Sequence, residues 1–126
     1  MNKKKILIID DEAGFTKLIK LNLEKTRRYE VRTENVGSRG LASAIEFKPD
    51  LILLDILMPD IEGSSVAAQI KDEEKTKDIP IVFLTAIISK EEEHSDGGII
   101  GGYPFVAKPV DMDDLIGCIE KNIKQK

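Results

Sequence analysis

The 126-residue sequence has no tryptophan, one cysteine and one histidine, and aromatic residues make up only 5% of it. A lone Cys118 excludes an internal disulfide framework and a multi-cysteine zinc site, and it fits a reducing compartment. With so few rings the core must be aliphatic, which suits buried strands layered with helices. Long apolar runs are missing as well. Lys3, Lys4 and Lys5 followed by Ile6 to Ile9 imitate the start of a secretory signal, but Asp10, Asp11 and Glu12 close the run at once. That is too short for a signal peptide or a membrane span, so a cytoplasmic protein without membrane association is expected. No G-x-x-x-x-G-K-[ST] or G-x-G-x-x-G follows the first apolar run, which excludes a P-loop enzyme and removes the argument for a dinucleotide site.

Positive charge is not in excess either. Nineteen Lys and Arg against 23 Asp and Glu give a formal charge of -4, which argues against general nucleic-acid binding. Hydrophobic residues are nevertheless 41% of the chain, the composition of a folded domain rather than a disordered segment. A chain of this length buries roughly two-thirds of its unfolded surface, enough for a core without disulfides or structural metal. No repeat, low-complexity tract or linker composition interrupts it, so residues 1–126 read as one domain with little room for a second.

Four short apolar runs recur with room for a helix between them: Ile6 to Ile9, Leu51 to Leu54, Ile79 to Leu84 and Phe105 to Ala107. Runs that are apolar on both faces belong in a parallel sheet covered on both sides. Tyr29 to Thr33 alternates with charged residues and reads as a fifth, edge strand. Between these runs the period changes to that of helices. Phe15, Leu18, Ile19 and Leu23 share one helical face, Leu41, Ala44 and Ile45 a second, and Val66, Ala67 and Ile70 a third. Ser64 or Ser65 is available to cap the third, and Asp111 to cap a last helix carrying Met112, Leu115, Ile119 and Ile123. Cys118 is expected in the core of that helix, and the Lys3 to Lys5 cluster as a solubilising terminus. Between Leu84 and Phe105 the pattern weakens. Four glycines fall within positions 97 to 102, so a fourth helix there should be short, frayed or partly loop. His94 lies in an acidic stretch of that region and reads as a surface residue.

Ligands of open parallel α/β sheets bind beyond the carboxyl ends of the strands. Asp10 and Asp11 follow the first strand, Asp55 the third, Thr85 the fourth, and Lys108 with Pro109 the last. Any one of these could simply cap a strand end. Three carboxylates together repel by about 1 to 4 kcal/mol per close pair, a penalty that a hard divalent cation removes. Few protein ligands plus several waters is the habit of Mg²⁺, and a cation beside a lysine and a hydroxyl suits a phosphoryl group. One of the carboxylates could itself attack phosphorus and form an acyl phosphate.

With Ile-Ile-Asp-Asp-Glu at 8 to 12, Leu-Leu-Asp-Ile-Leu-Met-Pro-Asp at 53 to 60 followed by Gly63, Leu-Thr-Ala at 84 to 86 and Lys-Pro at 108 to 109, the chain resembles the receiver domains of bacterial response regulators, including the single-domain chemotaxis regulator. The resemblance covers essentially the whole chain. It implies a flavodoxin-like, doubly wound α/β fold with a five-stranded parallel sheet in the order 2-1-3-4-5 and helices on both faces. It implies that Asp55 is the phosphoacceptor, served by a histidine kinase or a histidine phosphotransfer domain, and that Mg²⁺ is held by Asp10, Asp11, Asp55 and the backbone carbonyl of Leu57. Thr85 and Lys108 would contact the phosphoryl group, the bond before Pro109 would be cis, and Phe105 would turn inward with Thr85 as a switch. Such a domain catalyses its own phosphorylation and dephosphorylation and controls a downstream protein partner rather than binding nucleic acid itself. Two other readings compete: a protein-interaction module of the same fold that does not switch, and a phosphatase with an aspartyl nucleophile, whose D-x-D spacing at the first strand is absent.

Overall fold

A computed structural model describes residues 2–86 and 99–123. Its strands are β1 (Lys4–Ile9), β2 (Tyr29–Glu34), β3 (Leu51–Asp55), β4 (Ile81–Thr85), β5 (Ile99–Ile100) and β6 (Tyr103–Ala107). Its helices are α1 (Ala13–Lys25), α2 (Gly40–Phe47), α3 (Gly63–Asp72) and α4 (Met112–Asn122), with a 3-10 turn at Gly37–Arg39. The sheet runs β2-β1-β3-β4-β6-β5. The first five of these strands are parallel and stand in the order expected of the five strands read from the sequence. The sixth was not expected. Ile99 and Ile100 pair antiparallel with Pro104 and Tyr103 across Gly101 and Gly102, both at positive φ (57° and 87°), as a tight two-residue hairpin turn demands. The expected fourth helix and His94 lie mostly or wholly outside the described residues.

The apolar runs bury both faces, and successive residues serve opposite layers. Ile6, Ile8, Leu51, Leu53, Val82 and Leu84 pack with Ile19 and Leu23 of α1 and with Leu115 and Ile119 of α4. Leu7, Ile9, Ile52, Leu54, Ile81 and Phe83 pack with Ala44 of α2 and with Val66, Ala67 and Ile70 of α3. The two layers leave the strand ends as the sheet's exposed rims. No helix among the described residues is long and apolar enough to cross a membrane.

Four local expectations need correction. β4 starts at Ile81, not Ile79: the ring of Pro80 removes an N–H, and only its carbonyl joins the ladder, accepting from Ile52 N at 2.9 Å. Leu18 is 56% exposed, so α1 buries a narrower stripe than its leucines suggest. Thr16 takes an inward position instead, where its hydroxyl donates to Ala13 O and accepts from Asn35 Nδ2. α3 begins at Gly63 with Glu62 as its cap residue, and neither Ser64 nor Ser65 caps it. The Lys3 to Lys5 cluster is also more than a solubilising end, since Lys5 N–H donates to Asp50 and Lys5 Nζ to Phe47 O. Asp111 caps α4 as expected, accepting from Asp114 N. Cys118 is only partly buried, at the margin of the α1 and α4 layer.

The start of α3 is set by close approach. Gly63 N–H donates to Ile56 O at 2.7 Å, and a Cβ on Gly63 would lie 2.2 Å from Asp55 O and 2.8 Å from Ile56 Cα. No flexible side chain can give way there, because both obstacles are backbone. Gly63→Ala is therefore expected to lower the free energy of unfolding in urea by about 3 kcal/mol. Gly117→Ala, exposed in α4 with nothing within 4 Å, is expected to raise it by up to about 1 kcal/mol. Equal effects of the two would refute this account of α3.

Candidate functional site: an acidic cluster held by one lysine

The site lies at the carboxyl rim of the sheet. β1 delivers Asp10 and Asp11, and its neighbour β3 delivers Asp55, because Ile9 pairs with Leu54 and the two strands end together. Asp10 is fully buried and Asp55 is 5% exposed. Each of the three aspartates offers a carboxylate oxygen, and those oxygens lie within 4.8 Å of one another. β4 contributes Thr85, which is buried, and β6 leads to Lys108, whose N–H donates to Thr85 O at 2.9 Å. The Lys108–Pro109 peptide is cis. Asp11, Glu12, Asp55, Leu57, Thr85, Ala86 and Lys108 line a cleft of about 290 Å³.

Lys108 ties the rim together. Its Nζ lies 2.8 Å from Asp10 Oδ2, 2.9 Å from Glu12 Oε1 and 3.8 Å from Asp55 Oδ1. Its hydrogen bond goes to Glu12. Asp10 Oδ2 is buried, and among the described residues its one polar neighbour is this ammonium, an ion pair that leaves the oxygen without a second partner. The other oxygen, Asp10 Oδ1, is satisfied by Glu12 N–H at 2.9 Å. The face of Phe15 packs under the ammonium, 4.6 Å from Nζ to the ring centroid. Burial by itself would lower the Lys108 pKa; the surrounding carboxylates of Asp10, Glu12 and Asp55 outweigh it and hold the ammonium above its ordinary value.

Asp55 shows what the crowding costs. Burial, then the charge of Asp10, raise its pKa from 3.8 to about 6, while Lys108 and the Leu57 N–H, 3.4 Å from Oδ1, pull the other way. Three hard oxygen donors, one of them a buried oxygen whose one polar neighbour among the described residues is the Lys108 ammonium, fit a small divalent cation.

Of the residues expected at the site, Asp10, Asp11, Asp55, Thr85 and Lys108 converge. Leu57 stands at the rim with its side chain half exposed. Phe105 does not line the cleft: it pairs in register with Phe83 and packs, partly buried, on the layer of α2 and α3. Glu12 and Phe15 are site residues that the sequence reading assigned elsewhere. Glu12 reads as a third acid ending an apolar run, and Phe15 as helix core. A larger groove of about 550 Å³ lies beside Lys3, Lys4, Lys5 and Lys48 at the opposite rim, away from these groups.

Fold and site together define an α/β domain built around an acidic, lysine-guarded cleft at its strand ends. Residues 6–120 match the response regulator receiver domain, and the chain belongs to that family, the receiver domains of two-component systems. Among similar curated proteins, the nisin biosynthesis regulatory protein NisR of Lactococcus lactis is 41% identical over 123 residues, 97% of this chain and 51% of that protein. The DNA-binding dual master transcriptional regulator RpaA of Synechocystis is 31% identical over 96% of this chain and 49% of that protein. The chain thus spans about half the length of the curated relatives it matches. Among solved structures, the chemotaxis response regulator CheY4 of Vibrio cholerae superposes with a TM-score of 0.80 at 26% identity, covering 95% of this chain and 98% of that one.

The raised pKa of Asp55 has a pH consequence. An acid with a higher pKa folded than unfolded adds stability that is full below the unfolded value, near 3.8, and is lost as pH rises through about 6. In metal-free buffer, Asp55→Asn should therefore stabilise the domain by up to about 3 kcal/mol at neutral pH and flatten its pH dependence between about pH 4 and 7. Urea denaturation across that range checks this; a variant that tracks the parent at every pH would contradict it.

Proposed function

We propose that Asp55 is the phosphoacceptor of this receiver domain, taking its phosphoryl group from a histidine kinase or a histidine phosphotransfer domain and passing the signal on to a protein partner. The observation that carries the reading is the buried Asp55 carboxylate, 3.8 Å from the ammonium of Lys108 and crowded by Asp10 and Asp11. Asp10, Asp11, Asp55 and the backbone carbonyl of Leu57 would hold Mg²⁺, which when bound supplies positive charge to offset that of the transferring group.

The chain's own residues account for the remaining chemistry. An oxygen of Asp55 attacks phosphorus, a P–O bond forms, and the bond from phosphorus to the donor nitrogen or oxygen breaks with its electron pair leaving on the donor. The raised pKa of Asp55 leaves it ionised at neutral pH, as a nucleophile must be, while its burial keeps the nucleophile poorly solvated. Lys108 neutralises developing charge on phosphoryl oxygens, and the hydroxyl of Thr85 donates to one of them. Movement of Thr85 toward the phosphoryl group frees space along β4 and β6, and Phe105, beside Phe83, repacks as the switch. The lone cysteine supports a cytoplasmic site of action.

Incubation with Mg²⁺ and a small acyl phosphate donor tests the reading by mass spectrometry. The parent should gain one phosphoryl group, Asp55→Ala none, and a chelator should abolish the gain. No uptake by the parent, or uptake retained in Asp55→Ala, would favour instead a protein-interaction module of the same fold that does not switch.

A further inference from the structure

Glu12 occupies the cap position of α1, where a short polar side chain would accept a hydrogen bond from the helix's first N–H groups. Its carboxylate makes no such bond. Its side chain is 62% exposed, and it is directed instead at Lys108 Nζ, 2.9 Å away. With the glutamate so exposed the pair contributes little to stability, and its effect falls on where the lysine sits.

Lys108 has two anionic anchors, Asp10 and Glu12, and an aromatic face, Phe15. The anchors differ. Asp10 belongs to the cluster whose oxygens can share a cation, together with Asp11 and Asp55; Glu12 does not. A divalent cation on that cluster would claim the charge of Asp10 and repel the ammonium beside it. Glu12 and the ring of Phe15 then remain as the attractive contacts that keep Lys108 at the cleft. We infer that Glu12 is a positioning residue for Lys108, holding its ammonium at the mouth of the cleft once a divalent cation has taken over Asp10. The kinetic consequence rests on Asp55 being the phosphoacceptor; the positional one does not.

Two measurements test the inference, and they fail separately. In the unphosphorylated, Mg²⁺-loaded protein, ¹⁵N NMR of the lysine side chains should show a slowly exchanging Lys108 ammonium. That signal should vanish in Glu12→Gln while backbone signals remote from the cleft stay in place. A parent without the signal, or a variant that keeps it, overturns the inference. With a small acyl phosphate at saturating Mg²⁺, Glu12→Gln should lower the phosphorylation rate constant by about tenfold. The same substitution in a Lys108→Ala background should change it by less than about twofold, because Glu12 acts through the lysine. An equal loss in both backgrounds identifies a merely structural role and overturns the inference. A parent that takes up no phosphoryl group overturns the acceptor reading, and the ammonium signal still decides the placement of Lys108.

Discussion

Everything at the carboxyl rim follows from crowding three carboxylates that would separate if they could. They cannot, because Asp10 and Asp55 end adjacent central strands whose pairing is fixed by apolar layers on both faces. Register alone sets how far apart the carboxylates sit, and the register is held by the packing of Leu7, Ile9, Ile52 and Leu54 against α2 and α3. The charges are therefore pinned by the core, and the rest of the site consists of responses to that pinning. Lys108 is the largest of them. β1 and β6 are separated by β3 and β4 in the sheet, yet Lys108 reaches Asp10 and partly neutralises the cluster.

The neutralisation is incomplete. One buried oxygen of Asp10 has only the Lys108 ammonium as a polar neighbour among the described residues, and the pKa of the Asp55 carboxyl is pushed up to about 6. A domain selected only for stability would replace one of these acids; keeping all three maintains a standing demand for positive charge, which the lysine meets in part and a cation would complete. The same architecture limits how the site can relax. Gly63 packs its backbone against Asp55 and Ile56, so the start of α3 is pressed against the end of β3 and leaves no slack beneath Asp55. Phe105 and Phe83 sit in register one layer below the rim, next to Thr85 in β4 and two residues from Ala107 in β6. Movement at the rim would therefore meet a packed neighbour, as the proposed switch requires.

Much of this was legible in the sequence, for identifiable reasons. Strands buried on both faces announce themselves as continuous apolar runs, and the acids and lysine that follow them fall at the rim by topology alone. The five parallel strands and the convergence of Asp10, Asp11, Asp55, Thr85 and Lys108 needed nothing further, whereas the order of the strands came only with the family resemblance. Most of the features that escaped depend on contacts between segments distant in sequence; the hairpin is the local exception. Leu18 looks like core until the partners of α1 are known, and Thr16 looks like surface until Asn35 is found beside it. The cap of α3 follows from a glycine's approach to another strand, which no local propensity encodes. The β5 and β6 hairpin was signalled by its paired glycines, read as breakers of a helix when they were in fact the turn of a strand. Glu12 and Phe15 each had an adequate local explanation, so nothing pointed to Lys108 from 96 residues away.

The carboxylate cluster is maintained at a cost that a divalent cation would remove. Thermal unfolding of the parent and of Asp11→Asn, each with and without Mg²⁺, tests it most directly. Asp11→Asn should melt higher than the parent in metal-free buffer and gain nothing from Mg²⁺, whereas the parent should gain. A variant that still responds to Mg²⁺ as fully as the parent would contradict it.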